Sequence, residues 1–93
     1  MPRVVFRKSV RADLKSIGDY IARDNPSRAI SFVRELKEAC QTLEHFPKRH
    51  PIEPSLEENT HKMPYKNYLV FYRIDDEKDT VYIQAVIEGH KQY

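Results

Sequence analysis

Two helical stripes separated by an Asn-Pro step constrain this chain more than any other feature. Val10, Leu14, Ile17 and Ile21 recur on one helix face, and Ser9 stands where an N-cap is needed. Pro26 disfavours helical geometry at Asn25, so the first helix has to end there. The same two residues suit the start of a second helix, with Asn25 as N-cap and Pro26 in the first helical position. Ala29, Phe32, Val33, Leu36, Cys40 and Leu43 carry the second stripe until Phe46 and Pro47 stop it. With so short a connection, the two helices are expected to pack as an antiparallel hairpin.

Strand signals lie on both sides of this hairpin. "RVVFR" at residues 3–7 is short, β-branched and aromatic, and reads as a first strand. "PKRHPIEPSLEENTH" carries Pro47, Pro51 and Pro54 and is expected to be a long surface loop. "KMPYKNYLVFYRID" and "TVYIQAVI" then flank "DEKD", a plausible hairpin turn, giving two or three antiparallel strands. The predicted architecture is α+β, one domain over residues 1–93, with the helical hairpin on one face of a small twisted sheet. A chain of 93 residues has room for one hydrophobic core and no more.

Alternation separates the two faces of the central strand. Tyr68, Val70, Tyr72 and Ile74 point one way, and Leu69, Phe71 and Arg73 point the other. An unpaired arginine is rarely buried, so the Arg73 side is assigned to the face away from the helices. Leu69 and Phe71 on that side are then partly exposed or covered by something else. Apolar surface beside a cation suggests a partner.

Composition narrows the function classes. With 40% hydrophobic and 32% charged residues and only two glycines, the chain is neither disordered nor fibrous. Its single cysteine, Cys40, has no intramolecular disulfide partner. No apolar run approaches a membrane span and no signal-peptide core is present, so a cytoplasmic protein without a membrane partner is expected. Neither a metal nor a nucleotide cofactor is expected. Cys40 lies on a buried stripe, His45, His50, His61 and His90 lack ligand spacing, and Gly18 and Gly89 form no phosphate loop. The formal net charge of +2 is too small to indicate nucleic-acid binding by itself.

The stretches "SVRADLKSIGDYIARDNPSRAISFVRELKEACQTLEHFP" and "YKNYLVFYRIDDEKDTVYIQAVIEGHKQY" resemble the RelE/ParE superfamily of bacterial toxins from type II toxin–antitoxin modules. The "DYIARDNP" hinge, followed by Ala29 and Phe32, and the "NYLVFYRID" strand are the most specific pieces, and the body looks closest to the ParE branch. The resemblance covers nearly the whole chain. It implies a toxin that stops growth and is neutralised by a cognate antitoxin, acidic and partly disordered, which folds along apolar grooves. RelE-like members cut messenger RNA on the ribosome, whereas ParE-like members inhibit DNA gyrase.

Metal-free RNA cleavage requires a base for the 2′-hydroxyl, an acid for the leaving 5′-oxygen and cations around the phosphorane. His90 lies just past the final strand, where nuclease members of the superfamily carry acid/base residues, and Lys91 and Tyr93 follow it. Arg73 would bring a fixed positive charge toward the same open face, with Lys62 and Lys66 lining its entrance to hold RNA. Each residue also has a structural reading. Arg73 would pair with Asp75 or Glu77, Lys62 and Lys66 would guard a sheet edge, Tyr93 would pack on apolar surface, and His90 would be solvated. The sequence departs from RelE-like nucleases at Leu69, where those proteins usually carry an arginine after the tyrosine of the "NY" step.

"HFPKRHP" gathers His45, Lys48, Arg49 and His50, either to guide an RNA or DNA partner or as a solvated basic turn. Three readings result: a ribosome-dependent messenger-RNA endonuclease using His90, a non-enzymatic gyrase inhibitor, and a relative that binds antitoxin and poisons nothing.

Overall fold

The structure, a computed structural model, describes residues 2–57 and 59–89. Strand β1 (Arg3–Phe6) leads into helices α1 (Lys8–Ala22) and α2 (Pro26–Gln41), followed by a short 3₁₀ turn at Thr42–Glu44. Strands β2 (Thr60–Tyr65), β3 (Tyr68–Asp75) and β4 (Thr80–Glu88) complete a four-stranded sheet of order β1-β4-β3-β2. β2, β3 and β4 are antiparallel neighbours, and β1 runs parallel to β4, as expected when a helical crossover separates two paired strands. The α+β architecture read from the sequence is the one observed.

The Asn-Pro step works as its chemistry requires. The Arg28 N–H donates to Asn25 Oδ1 at 3.1 Å, and Pro26 opens α2. The first helix differs from expectation, because Arg7 and not Ser9 occupies its N-cap. The Ser9 hydroxyl instead donates to the Gln84 carbonyl of β4 at 3.5 Å, tying the helix to the sheet.

The two stripes meet the sheet in one core. Val10, Leu14 and Ile17 of α1 and Phe32, Leu36 and Cys40 of α2 pack on Val70, Tyr72, Val81, Ile83 and Val86. Leu36, Val70, Val81 and Ile83 have no solvent exposure, and burying each such side chain contributes about 1.5–3 kcal/mol. Tyr68 and Ile74 also pack against this cluster, so the alternation assigned the helix-facing side correctly.

The proline-rich segment is more ordered than its composition suggests. Ile52 bridges His61 on the free edge of β2, the Glu53 N–H donates to the Thr60 carbonyl at 2.7 Å, and the Lys62 N–H to the Pro51 carbonyl at 3.0 Å. Residues 51–57 therefore form a strap along the edge of β2. Leu56 of the strap shares a recess with Leu69, Phe71 and Ile87, and Phe71 is only 2% exposed. Of the two outcomes foreseen for Phe71, burial under another element is the one realised. Pro64 further protects this edge, because its ring nitrogen offers no donor to an added strand.

Candidate functional site

The outer face of the sheet, away from the helices, is built by alternation. Leu69, Phe71 and Arg73 on β3 stand opposite Ile87, Ala85 and Tyr82 on β4 and opposite Pro64, Lys62 and Thr60 on β2. A register shift between Phe71 and Tyr72 inserts Gln84 as an extra residue in β4. Beyond it, Arg7 lies 4.8 Å from the Tyr82 ring, and the two line a cleft with Arg73 and Gln84. Asp75, Asp76 and Glu77 line the same cleft, so its charge is mixed.

The cations expected to hold RNA do not converge. Lys62 is on the outer face, but its ammonium lies 2.9 Å from Glu53 Oε1. That contact, with the Ser55 hydroxyl and N–H, holds the Glu53 carboxyl at about 2. Arg73 reaches Glu57 of the strap at 3.5 Å, and not Asp75 or Glu77, the partners foreseen for it. Lys66 occupies the tight turn between β2 and β3 with φ 53°, 5.9 Å from the Tyr65 ring, and its charge acts on Glu35 of α2. Since Tyr65 packs on Phe32, Lys66 belongs to the helix side and does not share an entrance with Lys62.

Strand register sets the remaining distance. Arg73 pairs with Tyr82, whereas Tyr68, five residues away, pairs with Glu88, a separation of about 17 Å along β3. The Gly89 N–H donates to the Asn67 carbonyl at 2.7 Å, so the end of β4 lies beside the β2–β3 turn. His90, Lys91 and Tyr93 lie outside the described residues. Among the described residues no cluster of three or more histidine, cysteine or carboxylate side chains forms a metal site.

A second surface is apolar. Leu14, Gly18, Ala22, Ala29 and Val33 floor a groove between α1 and α2, and Ile30 beside them is 71% exposed. Small residues keep the floor low; a β-carbon on Gly18 would stand 3.3 Å from a Val33 methyl. Arg11, Lys15, Arg34 and Lys37 rim the groove, with Asp19 the one carboxylate among its lining residues. Periodicity assigns Leu14 and Val33 to the stripes, but the groove itself depends on how the two helices pack.

With this geometry in place, comparison with known proteins decides the family. Residues 4–93 match the profile of the ParE toxin of the type II toxin-antitoxin system, parDE. The chain belongs to the ParE toxin family. It is thus a member of a family of toxins from type II toxin–antitoxin systems.

Solved structures agree on the fold. The chromosomal ParDE system of P. aeruginosa superposes with a TM-score of 0.82 at 16% identity, covering 95% of this chain and 96% of that one. The RelBE2 toxin-antitoxin complex of Mycobacterium tuberculosis gives 0.70 at 27% identity, over 94% and 90% of the two chains. The isolated RelE toxin of E. coli gives 0.70 at 14% identity, over 99% and 88%. No curated protein matches the chain in sequence. Among the described residues no helix is long and apolar enough to cross a membrane.

Proposed function

We propose that this chain arrests growth by binding DNA gyrase rather than by cutting RNA, and that an acidic antitoxin holds it inactive. The observation that carries the choice of target is the dispersal of the described cations. Arg73 is about 17 Å along β3 from Tyr68, which pairs with Glu88 near the end of β4, and Arg73 and Lys62 are each paired to a strap carboxylate. Cleavage of a phosphodiester requires its acid, base and cations around one phosphorus. Leu69, in the place where RelE-like nucleases usually carry an arginine, supports the same reading. A gyrase inhibitor needs only a complementary surface.

The antitoxin reading has its own support. Relatives include the ParDE system and the RelBE2 toxin-antitoxin complex. The α1–α2 groove has an apolar floor and a basic rim, which suits an acidic amphipathic segment that orders on binding.

One observation favours the nuclease as a second reading. His90, Lys91 and Tyr93 follow Gly89 directly, and Gly89 is held to the β2–β3 turn beside Leu69. Two assays with one protein preparation separate the readings: gyrase supercoiling in vitro, and mapping of messenger-RNA 5′ ends in reconstituted translation. Loss of supercoiling with intact message is the expected result. New 5′ ends that require ribosomes and vanish in His90→Ala would overturn the gyrase assignment.

A further inference from the structure

The segment joining α2 to the strap is held with unusual care for a surface turn. The buried Tyr72 hydroxyl donates to the Pro47 carbonyl at 2.8 Å. His61, 9% exposed and stacked on Tyr72 at 5.0 Å, places Nδ1 2.7 Å from the His50 carbonyl. The Arg49 N–H closes the turn on the Phe46 carbonyl at 3.2 Å, and the Lys62 N–H anchors Pro51. Two buried polar side chains, each costly to bury without a partner, thus fix the backbone of residues 47–51.

What this support presents to solvent is an aromatic ring among cations. Phe46 is 63% exposed, and it lines a shallow recess with Pro47, Lys48 and Arg49. The His45 ring lies beside it at 6.4 Å. Among the described residues two carboxylates approach this turn, and both contacts are exposed: Glu44 at 3.3 Å from His45 and Asp76 at 4.0 Å from Lys48. No ion pair ties down Arg49 among the described residues.

We propose that the turn at residues 45–50 is a preformed contact for single-stranded nucleic acid. An unpaired base stacks on Phe46 while Lys48 and Arg49 take the adjoining phosphates. A duplex does not offer the base face that Phe46 requires, whereas every nucleotide of a single strand supplies a planar base and a phosphate together, which an acidic peptide matches only where an aromatic residue falls in register. The contact is separate from the outer-face cleft and the hairpin groove, and it stands whichever target the toxin attacks.

Binding of fluorescein-labelled oligothymidylate to the purified full chain, followed by anisotropy across a salt series, tests this. Phe46→Ala should weaken binding on the order of ten-fold, and Phe46→Trp should preserve it. Arg49→Gln should reduce the slope of log affinity against log salt by about 0.7. These side chains are exposed, so thermal melting should be unchanged in each variant. Equal affinity of wild type and Phe46→Ala overturns the stacking contact, as does tighter binding of a duplex of the same sequence. Binding of polyglutamate with the same dependence on Phe46 would reassign the turn to an acidic protein.

Discussion

Replacing Tyr72 with phenylalanine removes a buried hydroxyl that is hydrogen-bonded to the backbone of the 47–50 turn. The ring has no solvent exposure and keeps its stack on His61, so the substitution removes only the hydroxyl and leaves the packing. Burial pushes the Tyr72 phenol up to about 12, so it remains a protonated donor throughout the stable pH range. Its acceptor, the Pro47 carbonyl, lies at 2.8 Å in a turn that water can re-enter. The expected loss is therefore toward the low end for an orphaned buried acceptor, about 1–2 kcal/mol. For a domain of this size that corresponds to a fall in melting temperature of roughly 5–15 °C. Urea unfolding measures the first quantity and calorimetry the second. Amide exchange supplies the local test: the N–H groups of Arg49 and Lys62, which close the turn and anchor Pro51, should exchange faster in Tyr72→Phe even after correction for global stability. Unchanged stability with unchanged exchange at both amides would refute the argument that Tyr72 holds this turn.

Other outcomes follow from the same geometry. The Glu53 carboxyl should titrate near 2 by NMR, since Lys62 and Ser55 favour its charged form. Because this value lies below that of the unfolded chain, the strap contact is present above the ordinary carboxylate range and is lost as pH falls through about 2; a midpoint above 4 would refute the ion pair. Cys40 is fully buried and its thiol is pushed up to about 12, so thiol reagents should leave the native protein unlabelled and modify it only on unfolding. Leu36→Ala, at an unexposed position where α2 meets the core, should lower stability by about 2–5 kcal/mol in denaturant titration.

Local chemistry made much of the fold legible. Asn25 and Pro26 set the hairpin, because a cap and a missing N–H act within one helical turn. Period-two alternation separated Tyr68, Val70, Tyr72 and Ile74 from Leu69, Phe71 and Arg73. Ser9 misled, since a hydroxyl near a helix start can equally serve a strand brought alongside by tertiary packing. The proline count misled in another way: Pro51 and Pro54 exclude regular structure in their own segment, yet the Pro51 carbonyl still accepts from β2.

The sequence alone determined the order of elements, the faces of β3 and the family, because each depends on residues close together in the chain. Only the tertiary structure decided which charges meet. Glu53 and Glu57 of the strap pair with Lys62 and Arg73, Lys66 falls on the helix side, and the buried Tyr72 and His61 brace a surface turn. Ion pairs and hydrogen bonds act over a few ångströms in space, and strand register, including the shift at Phe71 and Tyr72, sets those distances.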